Sequence, residues 1–198
     1  MKLYFSPTSP YVRKVMACAI TRSLDGRIEK HSSNPHASPA DLVADNPLSK
    51  VPCLVTDDGL SLFGSQLICE YLDSIGEALQ LFPGHGAPRW RALKHQSMGD
   101  GILDAAVPCR GEQGKPQEAA RDAQIARYKA VMSRTTEALE ADPPHKHIDI
   151  GSITVACALG YLDFRFAADP WRPNHPKLEG WYDAFIQNKG IAETKPEG

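Results

Sequence analysis

No apolar run in this chain approaches the ~18 residues that a membrane-spanning helix requires, which excludes a helical anchor. No basic run exceeds Arg13-Lys14, and with a formal net charge of −2 this argues against a nucleic-acid partner. Cys18, Cys53, Cys69, Cys109 and Cys157 contain no C-x-x-C pair and no zinc-like spacing, so neither a dithiol redox motif nor a metal site is expected. Three of them lie inside apolar helical patterns, where a free thiol packs as a small hydrophobe. Met1 leads within one residue into a strand-like run with no small-residue cleavage site, so no signal peptide is expected. Together these absences describe a reduced, cytoplasmic chain. What is present is ordinary for a folded protein: 198 residues, 42% hydrophobic and 23% charged, suit one large domain or two small ones.

The stretch that organises the rest is Met1–Arg22. Leu3, Tyr4 and Phe5 have the composition of a buried strand. Ser6-Pro7-Thr8-Ser9-Pro10 then forbids strand and helix alike, since two prolines remove donors and fix φ. Beyond Pro10 the period changes. Val12, Val15, Met16, Ala19 and Ile20 fall on one face of a helix, with Pro10 suited to its first position and Ser9 to its N-cap.

A helix start stabilises anions, because its unpaired N–H groups and its dipole point outward. A capping serine accepts from the backbone and still has an O–H to donate. Lowering a bound thiol from about 8.5 to between 6 and 7 takes roughly 3 kcal/mol. A hydrogen bond to a charged group supplies about 1.5–3 kcal/mol and the helix terminus up to about 1 more. The sum suffices, but a serine before a proline is first of all a cap. This stretch alone leaves both uses open.

Further on, Arg27–His31 alternates like a short strand, and residues 32–49 read as loop with one helical turn near Ala40–Ala44, closed by Asn46-Pro47. Val51–Thr56 is strand-like, Asp57-Asp58-Gly59 a hairpin turn, and Leu60–Leu62 a return strand. From Ser65 the helical period returns through Ile75. This order predicts an α/β domain with a four-stranded mixed sheet over residues 1–77. Residues 78–88, dense in Pro and Gly, read as a linker, and 89–198 as an all-helical domain. There Ile150–Phe166 is apolar nearly all round, the expected centre, opened by a capping box of Asp149 and Ser152. A last helix is expected over Pro176–Asn188.

A small βαβ-ββα domain, a Pro/Gly linker and a helical domain resemble the glutathione transferase family across essentially the whole chain. The motifs that carry the resemblance are Ser9-Pro10, Val51-Pro52, and Ser65 opening a helix after Asp58-Gly59-Leu60. The segment Ile153–Arg165 and the ending Trp171…His175-Pro176…Trp181-Tyr182 look like bacterial members. The resemblance implies a thioredoxin-like first domain that binds glutathione as co-substrate and a second domain that supplies most of the electrophile pocket. It also implies a homodimer, and a detoxifying attack of the glutathione thiolate on small apolar electrophiles.

Position by position, the resemblance makes Ser9 the thiolate's hydrogen-bond donor, with Thr8 the second candidate. It makes Val51-Pro52 the family's cis-proline, whose Val51 N–H and C=O pair with the cysteinyl backbone. Ser65 with its helix N-terminus holds the γ-glutamyl carboxylate, and Lys50 the glycyl carboxylate. Tyr11, Arg110 and the helix around Ile102–Cys109 are candidate walls for the second substrate. Gly64 is a departure: the family usually has Glu or Gln there, touching the γ-glutamyl group, and the lost contact is worth about 1.5–3 kcal/mol. Gln66, or Asp104 from a second copy, are the candidate replacements. A tyrosine-type site would need Tyr4 one or two positions later, and a cysteine-type site a loop cysteine that is absent. Two other functions stay open: glutathione-dependent reduction of peroxides or mixed disulfides, and a non-catalytic binding or scaffold protein, which Gly64 favours.

Overall fold

Leu3 and Tyr4 are both buried, and they point to opposite faces of the same strand. In a computed structural model that describes residues 1–196, they belong to β1 (Lys2–Phe5), which runs parallel to β2 (Glu29–Ser32) and antiparallel to β3 (Cys53–Val55). Antiparallel β4 (Ser61–Phe63) completes the order β2-β1-β3-β4. Leu3, Leu54 and Leu62 stand side by side across three strands and line one face. Tyr4 and Cys53 line the other, packed with Leu42 of α2 (Ala40–Asp45) and with Phe63. The hairpin turns through Gly59 at φ +86°, and the return strand starts one residue later than the pattern predicts.

Helix α1 (Pro10–Thr21) packs against α3 (Ser65–Ile75). Its C-terminal end is fixed by a buried ion pair. Arg22, 2% exposed, places Nε 3.2 Å from Asp73 Oδ1 and donates from Nη2 to the Asp73 carbonyl at 2.9 Å. The same guanidinium donates to the Gly76 and Ala78 carbonyls. The Asp73 carboxylate in turn accepts the Leu81 and Phe82 N–H groups at 2.7 and 3.1 Å. Leu81 and Phe82 are buried, so the segment expected to be a linker is bound to the first unit as far as these residues.

The chain divides into two compact units, Met1–Gly84 together with the segment from Asn188 onward, and His85–Gln187. The second holds α4 (Gly86–Gln113), α5 (Ala119–Ala141), α6 (Ile150–Arg165) and α7 (Pro176–Phe185). Every residue from Ile150 to Leu162 is buried, and Asp149 and Ser152 form the expected capping box, with reciprocal bonds of 2.7 and 2.9 Å. α4 and α6 pack closely at small residues. A Cβ on Gly99 would fall 2.9 Å from the Thr154 backbone, and one on Gly151 would strike the Ala92 carbonyl. Glu140 of α5 caps α7 by accepting the Lys177 and Leu178 N–H groups, at 3.2 and 2.8 Å. Those bonds hold its carboxyl below the usual range against the opposing effect of desolvation.

The sequence pattern extends the helical domain to residue 198 and its last helix to Asn188. Instead α7 ends at Phe185, and a short α8 (Lys189–Ala192) turns back onto α1. Gly190 makes this possible, since a Cβ there would stand 2.6 Å from the Ala17 carbonyl oxygen. Arg13 Nη2 donates to the Ile191 carbonyl at 3.3 Å.

Asp73→Ala strands the buried Arg22 charge and frees the Leu81 and Phe82 N–H groups. The expected loss is about 3–5 kcal/mol, read as a lower urea midpoint at unchanged m-value.

Candidate functional site

Register alone brings most of the sequence-predicted residues to one end of the sheet. Tyr4 lies opposite His31 on β2 and Cys53 on β3, and Cys53 lies opposite Phe63 on β4. One step beyond that row, β1 runs into the Ser6–Ser9 loop, β3 is entered from Val51-Pro52, and β4 leaves through Gly64 into Ser65. The starts of α1 and α3 therefore share an end of the sheet with the start of β3.

Ser9 is the N-cap of α1, in extended conformation, and its half-buried hydroxyl accepts the Val12 N–H at 3.3 Å. Its carbonyl accepts the Arg13 N–H at 3.0 Å, so the cap is complete and the O–H proton remains to be donated. Thr8 is half-buried one residue earlier, and Tyr11 half-buried as the second residue of α1. The Val51-Pro52 peptide bond is cis, with Pro52 buried and Val51 half-buried. Lys50 is exposed.

Gly64 is exposed at φ +88°, a backbone state that glycine adopts freely, and a Cβ there would meet nothing within 4 Å. As N-cap of α3 it brings no side chain, so no side chain caps that helix. The first turn of α3 therefore presents N–H groups with no intrahelical partner, beside the hydroxyl of Ser65, which is 7% exposed. Gln66 is exposed on the same turn. Arg110 and Asp104 are exposed on α4, in the other unit.

Other residues are excluded by their surroundings. Tyr4 is 1% exposed; its hydroxyl accepts from Lys2 Nζ at 2.6 Å and donates to Asp45 Oδ2 at 2.7 Å. Burial pushes the phenol above its usual range, and the Tyr4 hydrogen bond holds Asp45 below its own. That hydroxyl anchors α2 to the sheet and is not offered to a ligand. All five cysteines are buried, and burial pushes the Cys53 thiol up to about 11, although it follows the cis-proline directly. Among the described residues no group of His, Cys, Asp or Glu is arranged to hold a metal ion, and no helix is long and apolar enough to cross a membrane. A cleft of about 540 Å³ bordered by Met1, Lys2, Arg27, Glu29, Val55 and Asp57 lies at the opposite end of β1. Three of its charges are paired to one another, Met1 to Asp57 at 2.6 Å and Arg27 to Asp57 at 2.9 Å, and Lys2 pairs with Asp45 at 3.2 Å.

One buried polar residue shortly before Val51-Pro52 says little in the sequence. Asn46, read there only as closing a loop, is 1% exposed and bonded within residues 46–50. The signal available was an asparagine before proline a few residues upstream of Val51-Pro52, which marks a turn but not its target.

Sequence models of the glutathione S-transferase N-terminal and C-terminal domains match residues 8–75 and 118–184. The chain belongs to the glutathione S-transferase family: a thioredoxin-like unit with a small mixed sheet, followed by helices. Over its length it is similar to the uncharacterized GST-like protein YibF of Escherichia coli K12, 30% identical across 99% of this chain and 98% of that protein. A crystal structure of a glutathione transferase family member from Pseudomonas fluorescens Pf-5 with bound glutathione is 36% identical, with a TM-score of 0.93 over 100% of this chain and 99% of that one. A second, from the same organism with bound S-(propanoic acid)-glutathione, is 34% identical, with a TM-score of 0.87 over 100% of both chains.

A thiol titrating near 11 is protonated at about pH 8, with roughly a hundredth of the thiolate of one titrating near 9. Native protein is expected to resist a thiol-specific alkylating reagent at that pH, and denatured protein to take up label at all five cysteines, counted by mass.

Proposed function

We propose that this protein is a glutathione transferase of serine type. The observation that carries the reading is the meeting, at one sheet end, of a serine-capped helix start, a cis-prolyl strand start and a helix start that no side chain caps. In this reading they take a thiolate, an extended peptide backbone and a carboxylate, the three groups that one glutathione carries. Glutathione bound to relatives over 30% identical supports the same reading.

In this assignment the α3 N-terminus and the Ser65 hydroxyl hold the γ-glutamyl carboxylate. The Val51 N–H and C=O pair with the cysteinyl backbone as an added strand does. Lys50 offers its exposed ammonium to the glycyl carboxylate, a contact worth little unless partly desolvated. Ser9 donates its O–H to the sulfur, and the α1 terminus adds its positive end. The thiolate then attacks an electrophilic carbon: the S–C bond forms, and the leaving group departs with the bonding pair. The electrophile is assigned to the helical unit, where Arg110 stands exposed on α4. The protein is further proposed to act as a cytoplasmic homodimer in detoxifying conjugation. A second reading, a binding protein that kept the fold, draws support from Gly64, which removes a side chain from the γ-glutamyl end.

Ser9→Ala tests the assignment with glutathione and an aryl halide. Losing one hydrogen bond to the thiolate should lower kcat about tenfold to a hundredfold, with the KM for glutathione within a few fold. The apparent pKa of bound glutathione in the pH–rate profile should rise by about one to two units, since the thiolate is then less stabilised than the thiol. Unchanged turnover and profile would move the role to Thr8, and Tyr4→Phe serves as a control that should leave both intact. No binding of glutathione at millimolar concentration would favour the binding-protein reading with a different ligand.

A further inference from the structure

Residues 46–50 are held by more bonds than a short surface connection needs. The Asn46 side chain donates from Nδ2 to the Lys50 carbonyl at 2.8 Å and accepts the Leu48 N–H on Oδ1 at 3.0 Å. The Asn46 carbonyl accepts the Ser49 N–H at 2.9 Å. Ser49 lies at φ +48°, in the left-handed region that a serine seldom occupies. Its hydroxyl donates to the Pro35 carbonyl at 3.1 Å and stands 3.0 Å from the hydroxyl of Ser38, itself at φ +46°. Two left-handed serines thus fasten the loop to the segment after β2. Backbone held in sparsely populated states persists where its surroundings over-determine it.

The target of the Asn46 amide gives these bonds a purpose. The Lys50 carbonyl and the Val51 N–H belong to one planar peptide unit, so fixing the direction of the first fixes the second. Val51 N–H is the donor assigned above to the cysteinyl carbonyl of glutathione. We infer that Asn46 is a positioning residue for the tripeptide: through the Lys50 carbonyl it aims the Val51 N–H, with Ser49 and Ser38 holding the loop in register. The inference rests on the glutathione reading and adds to it a buried residue that does not touch the ligand.

Asn46→Asp separates the two bonds. A carboxylate still accepts the Leu48 N–H, has no proton for the Lys50 carbonyl and repels it, so the peptide plane turns. Calorimetric titration with glutathione, and kinetics with glutathione and an aryl halide, should show Kd and KM for glutathione raised about tenfold or more. The kcat at saturating glutathione should stay within about twofold, because Ser9 and α1 are undisturbed. Ser49→Ala, which loosens only the fastening, should raise the same KM about threefold. A merely structural asparagine would instead lower the urea midpoint and the active fraction, leaving KM unchanged. An unchanged KM in folded Asn46→Asp overturns the inference, as does a fall in kcat matching the rise in KM. Should Asn46→Asp fail to fold, Ser49→Ala decides, and an unchanged KM there has the same force. Wild-type protein that binds no glutathione would overturn the site reading itself, whereas wild-type binding with unaltered variants overturns only the role of Asn46.

Discussion

The placement of α1 is the constraint on which the first unit depends. One end is held by Arg22, whose guanidinium gathers Asp73 and the carbonyls that follow α3. Its side is closed by α8, which approaches as near as a glycine allows. With the helix held at that end and along its side, the N-terminal cap is left projecting from the sheet end on a short loop. In the proposed transferase the Ser9 hydroxyl would have to meet a sulfur within hydrogen-bond distance and would need such a support, because small misplacements of a reacting group lose large factors in rate. The buried pair is not there for raw stability alone, since well-packed apolar residues often replace such a pair without loss. What it contributes is directional, since one guanidinium and one carboxylate satisfy several backbone groups of the turn after α3.

The sheet then does the work of assembly. Parallel pairing of β1 with β2, and antiparallel pairing of β1 with β3 and of β3 with β4, send chain segments far apart in sequence to a common end. None of the three contributors is unusual alone. A Ser-Pro start, a Val-Pro strand entry and a glycine before a helix are each common ways to begin an element. Their chemistry comes from convergence, and the same convergence explains the exclusions. Tyr4 lies on the row just inside that end, where its hydroxyl is needed by Asp45 and Lys2. Cys53 lies there too, in apolar surroundings that keep the thiol protonated.

What could be read from the sequence was whatever is written locally. The cap at Ser9, the reciprocal Asp149–Ser152 pair and the strand-turn-strand around Gly59 each depend on residues within about four positions, so the pattern contains the answer. The buried run of α6 was legible for the same reason. Asp73 looked like any acid near a helix end, because its partners Arg22, Leu81 and Phe82 are supplied by folding. α8 went unread, since the expected helix runs past Phe185 only to Asn188 and four residues are too few to show a helical period. Asn46 was recognisable as a turn former, while the carbonyl it orients became evident only from the path of the loop.

Gly64 changes meaning between the two levels. As a letter it is a deletion, the loss of a side chain from the γ-glutamyl end. In the fold it sits at φ +88°, where any residue with a Cβ is strained by about 1–3 kcal/mol. That strain is of the same size as the hydrogen bond a longer side chain would add, about 1.5–3 kcal/mol. Glycine therefore gives up a contact and relieves a backbone, two effects of similar size of which only the relief bears on the stability of the free protein. They do not offset in binding, because the strain is present with or without ligand while the contact forms only with it. In the proposed glutathione site the residue favours a relaxed α3 start at the expense of affinity, and more of the recognition would fall to the helix N-terminus, Ser65 and the Val51 backbone.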